Sequence, residues 1–236
     1  MGKNYQDIIN ELNYKVLELT TLYEIAQRLG TSFDPAVTLG SILEILSENM
    51  GMRRGTLTLL DPETRQLYIE LGHGLTAEEK GRGVYKIGEG VTGKVVETGE
   101  PIIVPDVGKE PLFLNRTRAR GDISRENISF ICVPVKIKGE TIGVFSVDRL
   151  FTDKSVSLDE DVRVLTIVAS LIGQTINVSK AVDLERKNFI REKMSLQREL
   201  KSPYRFANIV YQSEKMREVL EAAWRVSQSK ATVFLR

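Results

Sequence analysis

One helical pattern constrains this chain more than any other feature. It runs from about residue 158 to residue 200, opened by the S-x-x-E capping box of Ser157 and Glu160 and stopped by Ser202-Pro203. Leu158, Val162, Leu165, Val168, Ala169, Ile172 and Ile176 recur at helical spacing. At 1.5 Å per residue such a helix is about 65 Å long, longer than a small domain is wide. Its second half therefore has to leave whatever its first half packs against. Beyond Lys180 the stretch "DLERKNFIREKMSLQRELK" is charged on most faces. That composition suits a solvated linker, and between two bodies such a helix also transmits a rotation or a change of pairing.

A second helix is predicted over Tyr5 to Leu29. Ile9, Leu12, Val16, Leu19, Tyr23 and Ala26 fall on one seam, and Ile8, Leu22, Ile25 and Leu29 widen it. So wide a stripe allows packing on the helix's own domain and a seam for a second copy; both remain open. Asp34 as N-cap with Pro35 at the first helical position opens a helix to about Met50. Strand patterns follow in "GTLTLLD" (55–61), "QLYIEL" (66–71) and "PIIVPDV" (101–107), with residues 72–82 read as a loop holding one turn of helix. A hairpin pairs "SFICVPVKI" (129–137) with "ETIGVFSVDRL" (140–150) across Lys138-Gly139. Near the end Ser213 caps a short amphipathic helix, and "ATVFLR" begins a buried-type strand. A strand without neighbours leaves its backbone groups unpaired, so the expectation is a piece of something longer.

"GEGVTG" (88–93) matches G-x-G-x-x-G, the loop that cradles a dinucleotide pyrophosphate. That loop needs a full helix and a parallel strand about 30 residues on. Here "TGKVVET" (92–98) allows fewer than two turns before Gly99-Glu100-Pro101, and the next strand begins at once. Lys94 precedes Val95, so it is no Walker lysine. An anion could meet the amides of the short helix that Thr92 opens, but the glycines are expected to serve a tight turn over a small cavity.

Lys and Arg number 33 against 32 Asp and Glu, a net charge of +1, so no overall field draws the chain onto nucleic acid or an anionic membrane. No apolar run approaches the roughly 20 residues of a membrane span. The single cysteine, Cys132, forms no intramolecular disulfide and fits a reducing cytosol. A sole histidine, His73, makes no zinc site, and no nucleophile–base pair suggests catalysis. The expectation is a soluble cytoplasmic chain that is not an enzyme.

The runs "GEGVTGKVVETGEPIIVPDV", "PLFLNRT" and "SFICVPVKIKGETIGVFSVDRLF" together resemble GAF domains, small-molecule sensor modules of the PAS/GAF class. Among these they resemble the N-terminal sensor domains of NifA-like, sigma-54-dependent transcription activators of nitrogen-fixation operons. The likeness covers residues 12 to 180. "NIVYQSEKMREVLEAAWRVSQSKATVFLR" resembles the opening helix and first strand of the AAA+ domain in such activators, short of its Walker A loop. The resemblance implies a GAF sensor domain over 1–180, a signalling helix over 181–203 and the start of an AAA+ domain over 204–236.

The implied fold is α+β, the GAF (PAS-like) fold: an antiparallel sheet of five or six strands. Helices 5–29 and 158–200 would pack on one face and form a homodimer interface. A ligand cavity would lie on the other face beneath residues 108–127. The implied function is a sensor that controls its own AAA+ ATPase in response to a small effector or a PII-type protein. DNA binding would belong to a C-terminal helix-turn-helix outside this sequence. A reading of another class is a ligand-free dimerisation scaffold, its core filled by Leu112, Phe113, Phe130 and Phe145.

Arg116, Arg118 and Arg120 crowd one polar segment, with Arg82 and Arg125 to either side. Arginines in such number suit a bidentate clamp for a dicarboxylate effector such as 2-oxoglutarate; no metal or other cofactor is implied. Arg116 and Asn115, beside the apolar Leu112-Phe113-Leu114, rank first as ligand contacts, while Arg118, Arg120 and Arg125 read as solvated loop residues. Strand alternation puts Phe130, Cys132 and Pro134 on one face. If that face meets the cavity, Phe130 and Cys132 line it together with Phe113 and Thr92. Asp148 and Arg149 read as a structural ion pair.

Overall fold

Pairing of the expected hairpin builds the centre of a six-stranded sheet. The computed structural model describes residues 5–29, 35–120, 128–150, 158–201 and 209–229, with 232 and 234. The expected caps Asp34 and Ser157, Arg125 and most of "ATVFLR" lie outside the described residues. The chain separates into two compact units, Met1–Ala181 and Val182–Arg236.

In the first unit β5 (Ile128–Ile137) and β6 (Glu140–Leu150) pair in antiparallel register across Lys138 and Gly139. Both turn residues have positive φ, 52° and 89°, the conformation a two-residue hairpin matched to strand twist requires. β1 (Met52–Leu60) joins β6, followed outward by β2 (Gln66–His73) and β3 (Val84–Lys86), while β4 (Ile102–Val104) borders β5. The order is β3-β2-β1-β6-β5-β4, and every pair is antiparallel. The fold is α+β with six strands, as expected.

Alternation divides the hairpin between two cores. Ile131, Val133, Val135, Phe145 and Val147 pack with α2 (Pro35–Met50) and the first half of α5 (Leu158–Lys201). Phe130, Cys132 and Val144 face the other way, against Val91, Val95 and Val96 of α4 (Gly90–Thr98). One expectation for residues 72–82 needs correction: β2 extends through His73, which pairs with Gly55 instead of lying in a loop. The expected short helix there is α3, residues 77–82, opened by a Thr76–Glu79 capping box that satisfies the Thr76 and Glu79 amides.

α1 (Tyr5–Leu29) divides its two apolar lines. Ile25 is fully buried, with Tyr14, Leu22 and Leu29 against the same core. Leu12, Val16, Leu19 and Tyr23 are 57–67% exposed. Polar links tie α1 to α5: Tyr14 donates to Asp161 at 2.7 Å, Lys15 pairs with Glu160 at 3.1 Å and Arg163 with Glu18 at 2.8 Å. Burial opposes ionisation of Glu18, yet hydrogen bonds from Lys15 and Arg163 hold its carboxyl below the usual glutamate value. A depressed pKa adds stability that is fully present above the unfolded value and is lost as pH falls through the folded one. Acid denaturation followed by circular dichroism should therefore show Glu18→Gln costing stability at neutral pH. The gap to wild type should close below about pH 4.

Val164, Leu165, Val168, Ala169 and Ile172 of α5 are fully buried, whereas residues 181–197 are exposed throughout. Among the described helices α5 alone is long and apolar enough by length and composition to cross a membrane; its apolar half is the part packed on the sheet. In the second unit Ser213 caps α6 (Glu214–Ser227) through the Met216 amide, as expected, and Leu220 is its buried side chain. Thr232 and Phe234 lie in neither helix nor strand.

Candidate functional site

Two strands supply a polar floor on the sheet face turned away from α5. Arg54, Thr56 and Thr58 alternate along β1, and Ser146 and Asp148 along β6. The Thr56 and Ser146 hydroxyls lie 2.7 Å apart. The roof is the segment after β4, which carries Phe113, Asn115, Thr117 and Arg120, with Val91 and Thr92 of α4 beside it. Its backbone is fastened where Val91 donates to the Leu112 carbonyl at 3.2 Å, Val107 to the Ile128 carbonyl at 3.0 Å, Arg82 to the Thr117 carbonyl at 2.7 Å and Ser129 to the Pro105 carbonyl at 2.8 Å. The cavity between floor and roof measures about 30 Å³, room for about two waters.

Arg120 and Asp148 dominate its electrostatics. Asp148 is 2% exposed. Nε and one terminal amine of Arg120 donate to its two carboxylate oxygens, both at 2.7 Å, a bidentate pair. Arg54 stands 3.6 Å from the same carboxylate. The Arg120 guanidinium lies 4.7 Å from the Phe113 ring and 5.5 Å from the Phe130 ring, within cation–π range. Those rings meet edge to face at 5.1 Å.

Of the residues expected to contact a ligand, Phe113, Asn115, Phe130 and Thr92 line this cavity and Arg116 and Cys132 do not. Arg116 turns outward to the Val84 carbonyl and the Glu89 carboxylate, over the Tyr85 ring. Arg120, read from the sequence as solvated, is the inward arginine, while Arg118 is exposed. Asp148 and Arg149 do not pair with each other. As strand neighbours they point to opposite faces, Asp148 to Arg120 and Arg149 to Asp161. Alternating polar residues in two otherwise apolar strands, "RGTLT" and "FSVD", were the available signal for the floor.

Cys132 is fully buried among Val91, Val95 and Val104, and burial pushes its thiol well above the usual range. An aromatic disulfide reagent should find no reactive thiol in the folded chain and one equivalent after denaturation. Among the described residues no group of three or more His, Cys, Asp or Glu could hold a metal ion.

The three glycines of "GEGVTG" serve geometry. Gly88 and Gly90 have positive φ, 80° and 62°, which glycine adopts without strain. A Cβ on Gly93 would stand 2.2 Å from the Lys86 carbonyl oxygen. α4 has nine residues, two more than expected, and ends at left-handed Gly99. β4 then pairs antiparallel with β5, so no dinucleotide crossover forms.

The GAF domain family profile matches residues 34–176. The chain is 40% identical over 220 residues to the Nif-specific regulatory protein of Herbaspirillum seropedicae, covering 93% of this chain and 40% of that protein. It is 34% identical over 221 residues to the nitrogen fixation protein AnfA of Azotobacter vinelandii, covering 94% of this chain and 41% of that one. The chain thus spans about two fifths of the length of these curated relatives. A crystal structure of the A. aeolicus nlh2 GAF domain in an inactive state superposes with a TM-score of 0.61 at 26% identity, covering 70% of this chain and 98% of that one.

Proposed function

The chain belongs to the GAF domain family, and from that premise we propose that residues 1–180 are the regulatory sensor of a NifA-like transcription activator of nitrogen-fixation genes. The observation that carries this reading is the buried charge around the cavity. Replacing a buried ion pair by packed apolar side chains is often neutral or stabilising. A pair enclosed above a polar floor is therefore better suited to recognition than to holding a fold together. Two guanidiniums and one carboxylate leave the site with a local charge of +1, which favours a small anion such as 2-oxoglutarate. The exposed seam of α1 offers a homodimer contact, continued along α5. A PII-type protein is the alternative input, and control of a following AAA+ ATPase in the cytoplasm is the output.

A scaffold that binds no effector has one observation in its favour: the cavity holds only about 30 Å³. Thermal unfolding against 2-oxoglutarate, glutamine, cyclic nucleotides, Fe(II) and a PII protein separates the two readings. A ligand at 100 times its dissociation constant adds about 2.7 kcal/mol, roughly 5 to 10 °C in Tm for a domain of this size. The expected result is a shift with 2-oxoglutarate that Arg120→Met removes and Arg116→Ala leaves intact. A panel without any small-molecule shift favours the scaffold or the protein-partner reading and withdraws the arginine clamp.

A further inference from the structure

Asp148 and Arg149 are adjacent on β6, yet each is the hub of a separate polar cluster on opposite faces of the sheet. Below lies the cavity cluster, Arg120 and Arg54 on Asp148. Above lies the helix cluster: Arg149 donates to one oxygen of Asp161, a fully buried residue in the first turn of α5, and Tyr14 of α1 donates to the other at 2.7 Å. One peptide unit joins the two. On the facing strand the pairing runs Met52 to Arg149 and then Arg54 to Asp148, a register irregularity at this very step. Such bulges interrupt the ladder and re-aim side chains. The extra residue lies on β1, so at this step β6 is held in regular register by β5 alone, which makes it a point where β6 can give.

We propose that this step is the relay from cavity to helices: release of Arg120 from Asp148 shifts the β6 backbone at 148–149, and Arg149 carries the shift to Asp161 and Tyr14. The proposal rests on the sensor reading and adds its internal route. Arg120 is the two-state element. Latched, it satisfies Asp148; drawn to a ligand anion, it leaves Asp148 to Arg54, so no buried charge is stranded in either state. Above the sheet the geometry tolerates little drift, since Asp161 has one donor on each oxygen and no exposure. Movement of Arg149 is therefore felt where α1 and α5 are joined, the helices whose outer faces are open to a second copy.

Amide hydrogen exchange on the whole chain tests this without any ligand. Wild type, Arg120→Met, Arg149→Met and the double variant are compared at α1 amides from Leu12 to Leu22 and at β2 amides from Gln66 to Leu71. The expected result is exchange in α1 faster by about fivefold or more in Arg120→Met, the low end of site-to-site coupling, with β2 much less affected. Against the Arg149→Met background the same substitution should add nothing further in α1. Equal acceleration in α1 and β2, an unchanged α1, or full additivity in the double variant each overturns the relay. Should Arg120→Met fail to fold, Arg120→Lys, which keeps the charge and loses the bidentate grip, carries the same comparison. An α1 response without ligand shifts in the melt leaves the relay standing and removes the effector; the reverse pattern removes the relay alone.

Discussion

Asp148→Ala should destabilise the first unit by about 3–5 kcal/mol, the usual effect of stranding one member of a buried ion pair. For a domain of this size that lowers Tm by roughly 6 to 20 °C. The guanidinium left behind belongs to Arg120, whose side chain is 10% exposed and lies against two phenylalanine rings. Little solvent can replace the lost carboxylate. Asp106→Ala is the matching control: its carboxylate holds the exposed Lys109 at 2.8 Å, and surface pairs of that kind contribute little. The double variant Asp148→Ala/Arg120→Met should recover most of the loss, because it removes charge and countercharge together. A loss of less than about 1 kcal/mol in the single variant would mean that water enters the cavity freely, and the enclosed site would have to be given up.

Gly93→Ala is expected to be comparably severe for a steric reason. The added Cβ would lie 2.2 Å from the Lys86 carbonyl oxygen and 3.1 Å from the Gly88 nitrogen. Overpacking typically costs about 1–3 kcal/mol, and here both obstacles are backbone, so the upper end applies. Relief requires α4 to back away from the turn after β3, carrying Val91 and Thr92 off the cavity wall. Gly81→Ala is the contrasting case: it sits in α3 with nothing within 4 Å of its added Cβ, and alanine there should add about 0.5–1 kcal/mol. Chemical denaturation of the two variants checks both signs. Equal stabilities would mean that the turn and α4 are not in tight contact.

The elements were legible because local signals agreed with tertiary ones. Ile131, Val133 and Val135 alternate with Phe130 and Cys132, and the sheet buries both sets, so the hairpin could be read from period alone. α3 was legible only as a turn of helix without bounds, because Thr76 and Glu79 cap a helix of six residues, too short to show an apolar face. The site was half legible. Phe113 and Phe130 marked the apolar contribution correctly as cavity lining. Ranking the arginines by position beside an apolar anchor put Arg116 ahead of Arg120, the one that lines the cavity, since such a position says nothing about which way a loop side chain turns. Arg116 leaves the cavity because Glu89 stands outside it, and Arg120 enters because Asp148 lies below; each partner is 27 or 28 residues away. Arg149 and Asp161 are only 12 residues apart, yet their link was hidden too, since a strand and a helix meet there only after folding.

The two borders of the sheet carry a consequence of their own. β3 and β4 are three residues each, and Pro101 and Pro105 flank β4 on both sides. So few free backbone groups, stopped by proline, give a visiting strand almost nothing to extend. Growth of one sheet onto the next, the route to fibres, is therefore blocked at both ends of β3-β2-β1-β6-β5-β4. The exposed apolar seam on α1 can be held at high concentration without adding to that hazard, because that surface is helical and pairs side chains, not ladders.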